Sequence, residues 1–471
     1  MSKRKPLNLK QFRPDNSRDQ AWYWLGRMEQ GAWSNRLLSA ELKEQGDLHS
    51  SAETLRIKQQ AEAWFYLTLS HQPACDWMLD QLSQRPAAKL DPGLKNALRL
   101  ALARLHFDPA AKAYAEIYET VELVKRQLNP GAAAYANAVL RAYQRRTPDL
   151  SQAGPWIQLN VSPALYADLT EQLGVEPATA FLTQTLAEPL PLCARLTKRG
   201  KANLAATLAG LKQEGVAASP AALLPDDVLY LKLGPASLTN LTAFKEGLIY
   251  LQGEASTLPV ILAAPQPAAS ILDVCAAPGG KAMQAAEAAG PQGRVVARDL
   301  KPHKLALIKA NLRRLGLKNV EVAGADATKP SAGSFDYVIA DVPCSGLGLL
   351  WSRPELRLKW DAEAVLRLQL TQAQILKQAA LNVKPGGLLI YCTCTVRRAE
   401  NQQQIATFLA DPQFAGRFKL VPALSLANQL PYKTLPELTR QLLSQQTGAV
   451  IMPPAAPTEG FYMAFLRREA S

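Results

Sequence analysis

The chain has 471 residues, 48% of them hydrophobic, which is enough for two or three domains with sizeable cores. It carries 53 basic and 40 acidic side chains, and the resulting net charge of +13 favours an anionic partner, most simply a nucleic acid, over a basic but unoccupied surface. No run of eighteen apolar residues and no secretory signal is found, so we expect a cytoplasmic protein that does not bind a membrane.

The first 147 residues are predicted to be a tail followed by helices. Residues 1–18 are basic and polar, which predicts a flexible tail. Apolar residues then recur at helical spacing, with almost no strand-like alternation, which predicts an all-helical domain over 19–147. Near one end of this bundle lies a basic cluster that either neutralises RNA phosphates or is an ordinary solvated helix face: Lys125, Arg126, Arg141, Arg145 and Arg146.

Residues 150–265 differ in pattern. Strands are predicted at 191–196 and 228–233, and helices at 163–173 and 204–214. The mixture of elements predicts a small α+β subdomain ahead of a larger core.

From residue 266 to 471, strands and helices alternate, as a doubly wound α/β fold requires. The first unit is a strand over 271–275, a turn at Pro278-Gly279-Gly280 and a helix over 281–289, which together form a crevice at the carboxyl end of a parallel sheet. Glycines there let a ligand approach the backbone, although the spacing matches neither G-x-G-x-x-G nor a phosphate loop. Further strands are predicted at 294–297, 320–323, 335–340 and 388–392, with a long helix at 361–383 that Lys384-Pro385-Gly386-Gly387 stops and an edge strand at 460–467.

Three carboxylates follow predicted strands, where ligands of open α/β sheets lie. Asp299 is placed for hydrogen bonds to a ribose, and Asp326 for the edge of an adenine. Asp341 follows the strand after them. The alternative for each residue alone is a helix cap, but three in register with one glycine turn favour a ligand site.

Cysteines provide the strongest signal. None of the six has disulfide-like or metal-ligand spacing, so we expect free thiols and no metal site. Cys344, in Asp-Val-Pro-Cys, and Cys394, in Cys-Thr-Cys, follow strands that open on the proposed crevice. A buried small apolar residue is the usual role of a single cysteine. That role does not readily explain two cysteines that each follow a strand of the same sheet.

These motifs resemble those of the Sun family of RNA 5-methylcytosine methyltransferases. The resemblance implies a Rossmann-like core that uses S-adenosyl-L-methionine. It also implies roles for three residues: Cys394 as the nucleophile that adds to carbon 6 of cytosine, Asp341 as a hydrogen-bond partner of the base, and Cys344 as the residue that helps to release the product. The implied cofactor-binding residues are Cys275, Ala276, Ala277, Pro278, Gly279, Gly280, Lys281, Asp299, Asp326 and Asp341. Lys281 is expected to contact either the cofactor or the RNA backbone.

Most of the remaining chain also resembles that family. Val121–Arg126, Asn129–Gly131 and Tyr135–Arg141 resemble a NusB-like RNA-binding domain, and residues 150–265 resemble the family's RNA-binding subdomain. The segment 351–360 resembles one in which Arg353 contacts RNA, with Trp360 either in contact with RNA or in the core. Two departures are Gly253, where aspartate is usual, and Arg398-Ala399 ahead of Glu400-Asn401.

The domain combination is that of bacterial enzymes that methylate small-subunit (16S) ribosomal RNA. We therefore expect that RNA or its precursor as the partner of a monomeric methyltransferase. Two alternatives stay open. One is an enzyme of the same chemistry that acts on tRNA or 23S ribosomal RNA, and the other is a non-catalytic RNA-binding scaffold.

Overall fold

The computed structural model describes residues 14, 16–34, 37, 52–186, 190–234, 237–430 and 435–470. They divide into two compact units. Unit 1 contains the described residues up to Asp168 together with Ser352–Trp360, and unit 2 contains the rest. Most of the predicted tail lies outside the described residues. Among those described, no helix has both the length and the apolar character needed to cross a membrane.

Unit 1 is helical, as predicted. Two of its helices begin in the way their sequences indicate, because Asp91 accepts a hydrogen bond from the Gly93 N–H (2.8 Å) and Asn129 accepts one from the Ala132 N–H (2.9 Å). Proline follows each cap, at the first helical position. The helices are α1 (Ser17–Glu29), α2 (Ala52–Ser70), α3 (Gln72–Leu82), α4 (Pro92–Phe107), α5 (Ala113–Gln127), α6 (Pro130–Arg145) and α7 (Pro155–Gln158).

A buried ionic cluster joins three of these helices. Glu116 of α5 accepts hydrogen bonds from Arg18 of α1 (2.5 Å) and Arg104 of α4 (2.8 Å). The Arg104 guanidinium lies 4.2 Å from the ring centroid of Trp64 in α2. Charges this deep are tolerated because each has an opposite charge beside it.

The segment Ser352–Trp360 completes the interior of unit 1. Glu355 is buried and accepts hydrogen bonds from the backbone N–H (3.3 Å) and hydroxyl (2.9 Å) of Ser34. Arg357 is fully buried and donates to the carbonyl of Leu159 (3.0 Å). Glu355 and Arg357 are therefore core residues of unit 1, and the expected contact of Arg353 with RNA stays a prediction.

Unit 2 begins with a four-stranded antiparallel sheet in the order β2-β3-β1-β4. Its strands are β1 (Leu192–Leu196), β2 (Ala217–Pro220), β3 (Val228–Lys232) and β4 (Ile249–Leu251), of which β2 and β4 were not predicted. Helix α8 (Pro163–Leu173) contains the boundary between the units, and the helices that accompany the sheet are α9 (Val175–Gln184), α10 (Lys198–Ala202), α11 (Leu204–Gln213) and α12 (Thr242–Lys245).

A larger sheet follows, in the order β10-β12-β9-β8-β5-β6-β7, with β11 paired to β12. Strands β5 to β9 are parallel, and β12 runs antiparallel to β9. The strands are β5 (Ser270–Asp273), β6 (Arg294–Asp299), β7 (Val320–Gly324), β8 (Phe335–Asp341), β9 (Val383–Thr393), β10 (Phe418–Val421), β11 (Ala449–Ile451) and β12 (Phe461–Arg468). The helices are α13 (Glu254–Ala263), α14 (Gly280–Ala289), α15 (Pro302–Leu315), α16 (Ala362–Leu381), α17 (Gln402–Ala410), α18 (Ala423–Ala427) and α19 (Glu437–Leu443).

This is the predicted Rossmann-like core, with two corrections. Strand β12 is not at the sheet edge, because β10 and β11 pair with the side that faces away from β9. Strand β9 also begins five residues earlier than predicted and runs through Pro385-Gly386-Gly387.

Candidate active site

The candidate site lies where the strand order reverses. Strand β5 has β6 on one side and β8 on the other, so the connections leaving β5 and β8 run in opposite directions. In open α/β sheets the crevice at such a point binds the ligand. The predicted site residues lie at or just after the carboxyl ends of β5, β6, β7, β8 and β9.

The loop after β5 is held against β6. The Ala276 N–H donates to the Arg298 carbonyl (2.7 Å), and the Ala277 N–H donates to the Asp299 carboxylate (3.3 Å). Gly279 then has a φ of +114°, which an L side chain rarely adopts, and α14 starts at the next residue. The structure thus brings the glycine turn and Asp299 together at the mouth of the crevice.

Lys281, in the first turn of α14, is buried rather than exposed. Its Nζ lies 2.7 Å from Oδ2 of Asp341 and 3.0 Å from Oγ of Ser256. Burial, the largest single influence, lowers the pKa of Lys281, but the neighbouring groups, Asp341 foremost, together outweigh it, so the pKa is raised and the ammonium is held. Lys281 therefore pairs with Asp341, and its expected contact with the cofactor or the RNA backbone stays a prediction.

The two cysteines meet. The Sγ atoms of Cys344 and Cys394 are 3.3 Å apart, and both side chains are half-buried. The hydrogen bond to Cys394, followed by burial, raises the pKa of the Cys344 thiol well above its ordinary range. Their loops touch through backbone, because the Gly348 N–H donates to the Cys394 carbonyl (3.0 Å). A Cβ at Gly348 would lie 1.8 Å from the Gly460 carbonyl oxygen, so only glycine fits.

Glu400 holds these loops together, and we did not predict this role. Its fully buried carboxylate accepts hydrogen bonds from the N–H (2.9 Å) and hydroxyl (2.5 Å) of Ser345, the residue after Cys344. It also accepts one from Nε2 of Gln372 (2.9 Å), whose other contact is the carbonyl of Pro343 (2.9 Å). Glu400 thus fixes the backbone on both sides of Cys344.

Asp273, at the end of β5, is a second residue that the sequence reasoning missed. It is buried and accepts a hydrogen bond from the Cys275 N–H (3.3 Å). Burial, and next the charge of Asp341, raise the pKa of Asp273 to about 7. Its position at a strand end is a signal as clear as that of Asp299.

Three other residues singled out in the sequence are Asp326, Cys275 and Cys392, and their surroundings are as follows. Asp326 accepts hydrogen bonds from the N–H (2.9 Å) and hydroxyl (2.7 Å) of Thr328, two residues on. Cys275 is half-buried, and burial raises the pKa of its thiol. Cys392, expected to be structural, is fully buried and pairs with Met463 across β9 and β12.

The basic cluster of unit 1 is only partly available to a ligand. Arg126 is paired with Asp19 of α1 (2.9 Å), and Lys125 lies 3.9 Å from Glu122. Arg145 and Arg146 are exposed at the end of α6.

Comparison with known proteins identifies the two parts. Residues 260–467 match the model of the family "16S rRNA methyltransferase RsmB/F", and residues 15–145 match that of the NusB family. A relative in Bacillus subtilis (strain 168), named "Probable ribosomal RNA small subunit methyltransferase B", is 31% identical over 96% of this chain and 98% of its own.

Solved structures agree with the fold. A crystal structure of PH0851 superposes with a TM-score of 0.75 at 25% identity, covering 97% of this chain and 99% of that one. The structure of NSun6 from Pyrococcus horikoshii with SFG superposes with a TM-score of 0.54 at 20% identity, covering 66% and 98%. On the near full-length match to the Bacillus relative and the two family models, this chain belongs to the family of ribosomal RNA small subunit methyltransferase B, with a NusB domain ahead of its methyltransferase core.

Proposed function

We propose that the protein transfers a methyl group from S-adenosyl-L-methionine to carbon 5 of a cytosine in small-subunit (16S) ribosomal RNA, through a covalent bond between Cys394 and carbon 6. The observation that carries the proposal is the 3.3 Å separation of the Cys344 and Cys394 sulfurs, in the crevice that also contains the Asp341–Lys281 pair. A simple fold-stabilising role does not call for two free thiols in contact beside a buried charge pair.

The crevice fits the cofactor. Gly279 leaves a surface free of side chain beside the start of α14, and Asp299, at the end of β6, offers a carboxylate suited to ribose hydroxyls. Leu300, which follows it, is 61% exposed and offers an apolar face to an adenine. When bound, S-adenosyl-L-methionine supplies an electrophilic methyl group. On the same fold, the Pyrococcus horikoshii protein was solved with SFG, an analogue of that cofactor.

The protein residues supply the activation of the base. Carbon 5 of cytosine is a weak nucleophile, and a thiolate bond to carbon 6 makes it enamine-like. Cys394 loses its proton to solvent and forms that bond as a thiolate, and the ring nitrogen takes up a proton as the carbon 5–carbon 6 double bond opens. Asp341, held as a carboxylate by Lys281, accepts hydrogen bonds from that N–H and from the amino group, and it offsets the positive charge that develops there when carbon 5 gains the methyl group. The base must leave its stack, or come from a single-stranded loop, to reach the pocket.

Cys344 completes the turnover. While both sulfurs are free, the contact with Cys394 raises the pKa of Cys344, so it holds its proton. The coupling between the two thiols ends when Cys394 becomes a thioether, which no longer titrates. Cys344 can now lose its proton to solvent and, as a thiolate, remove the hydrogen from carbon 5. The carbon 6–sulfur bond breaks, and Cys394 leaves as a thiolate.

The choice of 16S ribosomal RNA and of the cytoplasm rests on the family and on the basic net charge. Among the described residues no group of three or more potential metal ligands is found, and the proposed steps need no metal. The monomeric state stays a prediction.

The test traps the intermediate. Cys344→Ala protein is mixed with 16S ribosomal RNA and S-adenosyl-L-methionine, and the products are separated on a denaturing gel. We expect a slow protein–RNA band, because the adduct forms but cannot be resolved. Cys344→Ala/Cys394→Ala should lose the band. Cys193→Ala/Cys344→Ala is the matched control and should keep it, because Cys193 is a free cysteine of β1 in the smaller sheet, outside the crevice.

Each of the other outcomes would contradict one part of the proposed function. A wild-type protein that makes 5-methylcytosine while Cys344→Ala gives no band would overturn the two cysteine roles. Methylation of tRNA or 23S ribosomal RNA instead would overturn the substrate. A protein that binds RNA but methylates none of these would be a scaffold.

A further inference from the structure

Helix α13 begins at a residue that has no side chain to cap it. Its N-cap is Gly253, which has no side chain to accept hydrogen bonds from the free N–H groups of the first turn. A Cβ on Gly253 would lie 1.9 Å from Oε1 of Glu459 and 2.3 Å from its carboxyl carbon. The place that a capping side chain would take is therefore occupied by a carboxylate from the other end of unit 2.

Glu459 takes the place of an N-cap aspartate. Its Oε1 accepts a hydrogen bond from the N–H of Ser256 (3.2 Å), the third residue of α13 and one of the two positions that an N-cap side chain serves. The Thr458 hydroxyl donates to its Oε2 (2.7 Å), which fixes the carboxylate. A negative charge at this end of a helix is also favoured by the helix dipole.

The capped residue touches the proposed base site. The Ser256 hydroxyl accepts a hydrogen bond from Lys281 Nζ (3.0 Å), the ammonium that pairs with Asp341. Glu459 is followed by Gly460, whose N–H donates to the carbonyl of Gly348 (3.0 Å) in the loop after Cys344. Glu459 thus lies between the pair that contacts the base and the loops that carry the thiols.

We infer that Glu459 is a positioning residue, which caps α13 in place of residue 253 and so holds Ser256, Lys281 and Asp341 in register with the two cysteines. The positioning role rests on the proposed function, whereas the capping of α13 by Glu459 instead of by a side chain at position 253 does not. Residue 253 has to be glycine while residue 459 is glutamate, because both cannot fill the same space.

The test is a double-mutant cycle with Glu459→Ala and Gly253→Asp. Glu459→Ala removes the cap, and we expect the melting temperature to fall by about 2–4 °C. We expect turnover at saturating RNA and cofactor to fall about tenfold, a step of the size that follows from misplaced reacting groups. Gly253→Asp forces a second carboxylate against Glu459 and should do at least as much damage. The combined variant should recover both quantities, because the aspartate introduced at position 253 can now cap α13 in the vacated space.

Two controls sharpen the cycle. Glu459→Gln keeps an acceptor oxygen and should retain most of the turnover. Glu437→Ala removes an exposed carboxylate from the first turn of α19 and should change neither quantity. RNA affinity should stay constant throughout, since a positioning defect lowers turnover rather than binding.

Recovery of turnover and melting temperature in the combined variant supports the inference. If the wild type methylates RNA but the combined variant has a melting temperature and turnover no better than those of the worse single variant, the inference about Glu459 is overturned and the proposed function is not. If the wild type makes no 5-methylcytosine, the proposed function and the positioning role both fail, and the melting temperatures, measured without RNA, still decide whether Glu459 is the cap.

Discussion

At the scale of single residues, the candidate site depends on contacts between side chains that are far apart in the sequence. Cys344 and Cys394 were identified because both follow strands of one sheet, and such ends must share an edge. Glu400 was not, because the pattern around it gives no sign that its carboxylate would contact Ser345, 55 positions earlier in the chain. The pairing of Lys281 with Asp341 was not predicted for the same reason, since the two residues are 60 positions apart in the sequence.

Glu400→Gln tests the supporting role. The amide keeps one oxygen that can accept from the Ser345 N–H and Gln372, but it replaces with a donor the oxygen that accepts from the Ser345 hydroxyl and pairs with Arg397. A buried donor left without a partner costs about 1–3 kcal/mol, and we expect the protein to be destabilised by that amount. We also expect adduct formation on the Cys344→Ala background to slow by about tenfold or more, because the Cys344 loop is no longer fixed.

Adduct formation is followed by gel against time, and stability by urea unfolding. Glu363→Gln, an exposed position in the first turn of α16, is the control. A folded Glu400→Gln/Cys344→Ala protein that forms the adduct at the control's rate would show that Glu400 does not position the Cys344 loop against Cys394.

At the scale of elements, periodicity predicted helix bounds closely but misjudged one strand. Pro385-Gly386-Gly387 was interpreted as a stop, whereas β9 runs from Val383 to Thr393. The pairing with β8 is irregular here: Val383 faces Phe335, and the regular register resumes at Leu388 with Tyr337. The proline and glycines occupy this irregular stretch, which no local pattern distinguishes from a loop. Strands β2 and β4 were missed because each has only three or four residues.

The packing of α3 against α4 makes the stability of unit 1 depend on pH. His71, at the N-cap of α3, stacks on Phe107 with ring centroids 3.9 Å apart, and its Nδ1 lies 2.9 Å from the Leu67 carbonyl oxygen. Burial lowers the pKa of His71 to about 4, opposed by the Leu67 hydrogen bond and assisted by the charges of Arg357 and His106. The unfolded chain therefore binds the proton more tightly than the folded protein.

The stabilising contribution is complete above about pH 6.5 and is lost as the pH falls towards 4. Relative to His71→Phe, which keeps the ring stacking, the wild type should lose about 2–3 kcal/mol between pH 7.5 and 4. Thermal unfolding at several pH values measures the difference. His303→Gln, at an exposed histidine of α15, should follow the wild type. Parallel pH curves for wild type and His71→Phe would contradict the assignment.

At the scale of the whole molecule, the order of the sequence is not the order of the compact units. The sequence was divided into consecutive domains, but Ser352–Trp360 lies within the second half of the chain and packs with unit 1. Nothing in its composition shows this, because Glu355 and Arg357 have the appearance of surface residues until their buried partners are known.

A truncated chain tests this arrangement. Residues 1–168 alone lack Glu355 and Arg357, which leaves Ser34 and the Leu159 carbonyl without these partners. We expect this fragment to melt about 5 °C or more below the same fragment carrying residues 350–361 on a Gly/Ser linker. Circular dichroism at 222 nm measures both. Equal melting temperatures would show that the segment adds nothing to unit 1.

The position of Ser352–Trp360 has a consequence for synthesis on the ribosome. An amino-terminal domain usually folds while the rest of the chain is being made, at about 5–20 residues per second. Unit 1 cannot close its interior until residue 360 has emerged, which is about 10–40 s after Asp168 at that rate. During this interval its helices are without Glu355 and Arg357, so the nascent chain exposes the surface that they later cover, and early binding of a chaperone or of RNA to unit 1 would meet an incomplete domain.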